Sequence, residues 1–279
     1  MPRSGDSSIG ALLLESGKIT PEAAERVLRM QRELGIRFGE AAQRLGLITE
    51  GDIQQILARQ FDYPYLQRGE GGFSPFLVAA YDPFSAQVEA LRAIRSQLML
   101  RWFARGQKAL TIVSVDEGGG ASLFAANLAV VFSQLGEHTL LADANLRAPT
   151  QHTIFDLKAR AGLSDLLAGR ADLEAIAKVE SFVALSVLAA GTLPPNPQEL
   201  LSRNSFTTLN RQLEAQYDVV LYDAPALTSG ADAMAVCARS KGVLLLVRKN
   251  HTQLAAVDAL AEKIKHSGAE VVGSVMVDF

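Results

Sequence analysis

The stretch VSVDEGGGASL, residues 113–123, decides the fold. It follows the β-branched apolar run 109–115 and opens the alanine-rich run 122–135, so a glycine triplet stands between an expected strand and an expected helix. Glycines let consecutive backbone N–H groups converge on a phosphate with no Cβ in the way. The N-terminus of the following helix adds a favourable field for an anion. A glycine triplet alone equally suits an ordinary tight β-to-α turn, so its neighbours carry the weight.

Downstream, the pattern alternates strand and helix. Strands are expected at 139–144, 185–190, 219–223, 242–247 and 271–277, with helices between them, among them 197–216 and 252–266. Near-continuous apolar strands joined by helical crossovers predict an α/β fold whose mostly parallel sheet is covered by helices on both faces. Two strands end in an acid, Asp143 in TLLADAN and Asp223 in VVLYDAP. A lone Asp at a strand end often caps a turn. Two of them beside a phosphate loop fall where open α/β sheets bind ligands, placed to hold Mg²⁺ directly or through its shell.

Upstream, residues 61–84 carry Pro64, Gly69, Gly71, Gly72, Pro75 and Pro83, which predicts a linker with one short helical turn. Residues 8–60 hold an internal repeat: Ser8–Gln31 aligns with Arg37–Gln60, 24 residues each, with RELGI between. Gly10 matches Gly39, Gly17 matches Gly46, Ile19-Thr20 matches Ile48-Thr49, and Gln31 matches Gln60. Each copy reads as a short helix, a glycine turn and a threonine-capped helix, with Pro21 suited to the first helical position of copy one. The expected organisation is a helical repeat domain over 1–60, a linker over 61–84 and an α/β domain over 85–279.

Composition narrows the function. A net charge of −3 and a pI near 5.9 disfavour a nucleic-acid partner, which needs a basic patch. The single cysteine, Cys237, and the absence of any apolar run long enough to span a bilayer suit a cytoplasmic protein that reaches a membrane only through a partner.

The long stretches AANLAVVFSQLGEHTLLADANLRAPTQHTIF (125–155), GLSDLLAGR (162–170) and LSVLAAGTLPPNPQELL (185–201) resemble the bacterial tyrosine kinase family, a branch of the ParA/MinD-like P-loop NTPases. Within it they are similar to the EpsG-type chain-length-determinant kinases of exopolysaccharide clusters. The resemblance implies an ATP/ADP site at Gly118, Gly119, Gly120, Ala121, Ser122, Leu123 and Arg147. It implies Mg²⁺ at Ser122, Asp143 and Asp223, with the two acids catalytic. It also implies a homo-oligomer assembled through Glu89, Arg92 and Arg95 of an E-x-x-R-x-x-R motif, and docking to the cytoplasmic tail of a membrane polysaccharide copolymerase at the inner membrane.

This chain departs from that pattern at decisive places. Ala121 stands where the family's phosphate-loop Lys belongs, Asn145 replaces the second acid of Asp-x-Asp, and Ala226 replaces the second Pro of Asp-x-Pro-Pro. No Lys or Arg occurs from Leu110 to Gln134, while Asp116 and Glu117 put negative charge at the start of the loop. The last tyrosine is Tyr222, so the tyrosine cluster that family members often carry at the C-terminus has no counterpart in this sequence. Since phosphoryl transfer relies on cations placed where charge develops, the expectation is a kinase-like regulator with weak or absent turnover. The alternatives are an active autokinase and a partitioning ATPase, the latter disfavoured by the acidic pI.

The N-terminal repeat resembles the cyclic di-GMP-binding N-terminal domain of type II secretion and pilus ATPases. The resemblance implies ligand contacts from Arg37, Gln60 and Gln31. Copy one has Ser8 where the matching arginine would be. A purely structural, partner-docking helical domain is the competing reading.

Overall fold

The computed structural model describes residues 9–53, 56 and 65–278. The chain divides into two compact units, Met1–Tyr65 and Leu66–Phe279.

The first unit shows the repeat in its geometry. Helices α1 (Ile9–Glu15), α2 (Pro21–Leu34) and α3 (Phe38–Arg44) are followed by a further helical turn at 50–53. The equivalent glycines Gly17 and Gly46 both adopt left-handed φ, +68° and +65°, which turns the chain back onto itself without a Cβ penalty. The equivalent threonines both cap. The Thr20 hydroxyl accepts from the Ala23 N–H at 3.2 Å, and the Thr49 hydroxyl accepts from the Asp52 N–H at 3.2 Å while the Asp52 carboxylate takes the Thr49 N–H at 2.8 Å. Lys18 reaches Asp52 at 2.6 Å, and this hydrogen bond, with that from the Thr49 N–H, holds the Asp52 carboxyl down at about 2. Leu13, Ile19, Ala24, Val27, Ala41, Ala42, Ile48 and Ile56 form the unit's own small core.

The second unit is a seven-stranded sheet in the order β3-β4-β2-β5-β1-β6-β7 among the described residues. The strands are β1 (Ala109–Ser114), β2 (Thr139–Asp143), β3 (Ala177–Lys178), β4 (Leu185–Leu188), β5 (Val219–Asp223), β6 (Gly242–Arg248) and β7 (Glu270–Val277). All neighbours pair in parallel except the short β3, which runs antiparallel to β4. Strands β1, β2, β4 and β5 are buried along their whole length. That is why they read as unbroken apolar runs and not as alternating ones. One face is closed by a core including Leu110, Ile112, Leu128 and Phe132, the other by one including Val113, Leu140, Tyr222 and Leu245.

The stretch expected as a linker joins this unit from Leu66 onward. It contains α4 (Val78–Tyr81), whose Ala79 and Ala80, with the preceding Leu77, are fully buried. It packs on α5 (Ala86–Arg101) and on α6 (Ala121–Ser133), the helix that opens from the glycine triplet. Asn127 of α6 staples it down: its side-chain oxygen accepts from the Ala79 N–H at 2.8 Å and its amide donates to the Phe76 carbonyl at 3.2 Å. Phe73 stacks near Phe182, 6.3 Å between centroids, and meets the edge of Phe155. The glycines and prolines do break long helices here, but the apolar residues among them bind the segment to the core.

The single helix expected over 197–216 is two, α9 (Pro197–Ser202) and α10 (Asn204–Gln216). Arg203 between them is extended at φ −66°, ψ 152°. Asn196 caps the first helix, and the Ser205 hydroxyl anchors the start of the second on the Leu167 carbonyl at 3.1 Å. Two short helices not anticipated from the sequence, α7 (Gln151–Ile154) and α8 (Leu163–Leu167), lie after β2; α11 (Asp232–Ser240) and α12 (Leu254–His266) complete the unit.

Replacing Asn127 by Ala should leave the buried Ala79 N–H without a partner, at about 1–3 kcal/mol, while the Phe76 carbonyl keeps the Val78 N–H. Urea unfolding of the full chain should show that loss with an unchanged denaturant slope. A loss below about 0.5 kcal/mol would mean that the segment is not held by this side chain.

Candidate nucleotide site

The site lies at the C-terminal ends of the parallel strands. The loop after β1 turns on Gly118 and Gly120, both left-handed at φ +70° and +64°. Between them, Gly119 faces the Ser114 side chain, where a Cβ would stand 2.7 Å from Ser114 Cβ. All three glycines are therefore demanded by backbone geometry. The loop delivers the chain into α6 with Ala121 at the first helical position, its small side chain buried. A cavity of about 790 Å³ sits over it, bounded by Gly118–Leu123 on one side and by Asn145, Arg147, Phe76 and Ile154 on others. Gly118, Gly119, Gly120, Ala121, Ser122, Leu123 and Arg147 thus line one cavity, with Asn145 at the same rim.

The acidic start of the loop is structural. Asp116 accepts from the Thr252 hydroxyl at 2.5 Å, and Glu117 from the Ser229 hydroxyl at 2.9 Å. The two side chains that look hostile to phosphate in the sequence tie the loop to the segments after β6 and β5.

Asp143 and Asp223 face each other in register across β2 and β5. Neither lines the cavity; both are fully buried beneath it. One Asp143 oxygen accepts from the Asn145 N–H at 3.1 Å, the other from the Thr150 and Gln151 N–H groups at 3.0 Å each. Asp143 thereby caps the short helix α7. Asp223 Oδ2 accepts from the Gln151 side-chain amide at 2.8 Å, and that amide also donates to the Ser122 carbonyl at 2.9 Å. Burial raises the pKa of both carboxyls; for Asp143 its three backbone donors work against the rise, and for Asp223 the charge of Asp143 adds to it.

Asn145 does not present a free side chain to the cavity. Its carbonyl oxygen accepts from the Ala148 N–H at 3.2 Å, closing a local turn. Arg147 is committed to the buried Asp232, with contacts at 2.6 and 3.2 Å, although half of its side chain stays exposed at the rim.

The donor chemistry fits magnesium in outline. Ser122 lines the cavity, and its backbone carbonyl shares the Gln151 side-chain amide with Asp223, whose buried Oδ1 has no partner. A hard cation takes oxygen ligands of this kind. Among the described residues no three His, Cys, Asp or Glu side chains gather as a metal site, so a cation here would lean on nucleotide and water oxygens.

Comparison with known proteins places the chain. The tyrosine-protein kinase YwqD of Bacillus subtilis (strain 168) is 34% identical over 200 residues, 72% of this chain and 84% of that protein. The putative tyrosine-protein kinase CapB of Staphylococcus aureus is 33% identical over 194 residues, 70% of this chain and 85% of its own. The chain belongs to the bacterial tyrosine-protein kinase family. The kinase domain of Escherichia coli tyrosine kinase ETK matches this family member with a TM-score of 0.71 at 28% identity, over 78% of this chain and 85% of that one. MinD of Pyrococcus horikoshii OT3, solved as a complex with Mg-ADP, shares the fold at a TM-score of 0.54 and 23% identity, over 61% of this chain and 70% of its own. No protein-family model matches the chain.

The other expected site residues of this tyrosine-kinase-family chain are less gathered. Glu89 and Arg92 pair with each other on α5. Arg95 turns inward, donating to the Val131 carbonyl of α6 at 2.8 Å, so part of the expected interface motif is an intramolecular tie. In the first unit, Arg37 is exposed at the N-cap of α3 and Gln31 is half-buried on α2, while Gln60 lies outside the described residues. Sequence reasoning missed Gln151 and Asp232. Gln151 lies in the quoted 125–155 stretch, but nothing in its spacing showed that a short helix would carry it between the two acids.

The raised Asp223 carboxyl gives a pH test. Below the ordinary carboxylate range both folded and unfolded chains are protonated and no stability is lost. As pH rises, the unfolded chain ionises first, and the folded chain loses stability until its own raised pKa is passed. Asp223→Asn should therefore melt with the wild type near about pH 4 and be the more stable by on the order of 2 kcal/mol near about pH 8. A gap independent of pH would contradict the assignment.

Proposed function

We propose that this chain is a nucleotide-binding, kinase-like regulator of exopolysaccharide chain length and export, with weak or absent phosphoryl transfer. The observation that supports this most is Ala121. At the position from which a lysine would reach the transferring phosphoryl group, a methyl side chain lies buried, and Arg147 at the rim is already paired with Asp232. What remains for an anion is the set of glycine-loop amides and the N-terminus of α6. These bind phosphate but do not follow charge into a transition state.

Removing one such preorganised contact costs about 3 kcal/mol, a hundredfold or more in rate. Asn145, engaged in its turn, is no carboxylate base. ATP or ADP, with Mg²⁺ at Ser122 and Asp223, would then act as an assembly signal more than as a phosphate source. The partners that suit this reading are further copies of the chain, through Glu89 and Arg92, and the cytoplasmic tail of a membrane copolymerase. Among the described residues no helix is long and apolar enough to cross a membrane. An active autokinase remains the alternative.

Incubation of the purified chain with Mg-ATP, followed by detection of phosphotyrosine, separates the two. The expected result is background signal in the wild type and a signal at least about tenfold higher in Ala121→Lys with Asn145→Asp. Robust phosphotyrosine in the wild type, abolished by Asp143→Ala, would establish the autokinase instead.

For the first unit, the proposal is cyclic di-GMP binding through copy two. The support is the exposed Arg37 beside a helix N-terminus, with Gln31 nearby in the repeat pattern. Calorimetric titration of the full chain with cyclic di-GMP should give heat that Arg37→Ala weakens by about one to two decades in affinity. No heat, or heat unchanged in the variant, would make the unit a docking scaffold.

A further inference from the structure

Resting on the reading of the cavity as a nucleotide site, we propose that Gln151 is a positioning residue that sets how far magnesium contributes to nucleotide binding. Its carboxamide holds Asp223 as a hydrogen-bond acceptor and so competes with the cation for the same carboxylate.

One residue makes three ties. The side-chain amide donates to Asp223 Oδ2 at 2.8 Å and to the Ser122 carbonyl at 2.9 Å, and the backbone N–H donates to Asp143 at 3.0 Å. Gln151 is fully buried, and its bonds to Asp143 and Asp223 are made out of reach of water. Both hydrogens of the NH₂ group are used, and the amide cannot withdraw without losing two bonds at once. It stands between the phosphate loop and the strand-end acids, the region through which Asp223 would have to meet an ion held on the Ser122 hydroxyl.

The arrangement is also incomplete. Asp223 Oδ1 and Gln151 Oε1 are both buried without a partner. Unmet buried acceptors are costly, and a cation with its water shell supplies what they lack. Magnesium requires a near-octahedral shell of oxygens at roughly 2.0–2.1 Å and gives up water reluctantly. Its entry is therefore an exchange, in which turning the carboxylate to the ion gives up the Oδ2–amide bond while the stranded Oδ1 is satisfied. Because the terms oppose each other, magnesium gains little in this chain, and it gains much once the competing donor is removed.

The test is the linkage between metal and nucleotide. ADP is titrated calorimetrically into the full chain with magnesium chloride and again with EDTA, at one fixed pH. In the wild type the two affinities should differ by less than about threefold. In Gln151→Met, which keeps the volume and removes the donor, they should differ by about tenfold or more, with ADP tighter in magnesium. Gln151→Glu keeps the shape, replaces the donor by an oxygen acceptor and should show at least as large a ratio. It also decides the matter if the Met variant fails to fold. A merely structural role would move both affinities together and leave the ratio unchanged. Equal ratios in the wild type and a folded variant overturn the proposal while leaving the nucleotide site standing. Absence of ADP binding in all three folded proteins under both conditions overturns the nucleotide reading and this proposal with it.

Discussion

Two carboxylates buried side by side at the ends of neighbouring strands are the constraint around which the second unit is built. Asp143 and Asp223 sit in register on β2 and β5, and neither reaches solvent. A buried carboxyl must be hydrogen-bonded or neutral. Asp143 meets that demand by drawing three backbone N–H groups around itself, which bends residues 145–151 into a turn and a short helix. Asp223 meets it through the Gln151 side-chain amide, which also ties down the Ser122 carbonyl. The loop after β2, the phosphate loop and α7 take their positions from those bonds.

The same bonds explain why the missing lysine leaves the architecture intact. The glycine loop keeps its shape through backbone geometry at Gly118, Gly119 and Gly120 and through hydroxyl ties at Asp116 and Glu117. No cation is needed to hold it. With Ala121 at the start of α6 the cleft is still formed, because its shape is maintained by other residues.

Much of this was legible in the sequence for physical reasons. Strands β1, β2, β5 and β6 are buried and apolar, so their runs stood out, and the two strand-end acids broke those runs at the right points. The glycine triplet was readable because only glycine tolerates its φ values and its contact with Ser114. The repeat was readable because each copy needs the same left-handed turn and the same threonine cap. What escaped was set by long-range partners. Residues 66–84 read as a linker from their Gly and Pro content, yet Asn127, some fifty residues on, holds them to the core. The helix 197–216 has helical composition throughout but breaks at Arg203. Arg147 was legible as a rim cation, whereas Asp232, which occupies it, lies on a distant helix.

The struts at Asp116 and Glu117 have a thermodynamic consequence. A flexible glycine loop loses conformational entropy when it closes on an anion, and that loss opposes binding. Here the segment leading into the glycines is already tied at two points to separate loops, so part of the ordering cost is met during folding. The acidic side chains that make the loop electrostatically poor also make it entropically ready, and the cleft is a mould set before any anion arrives.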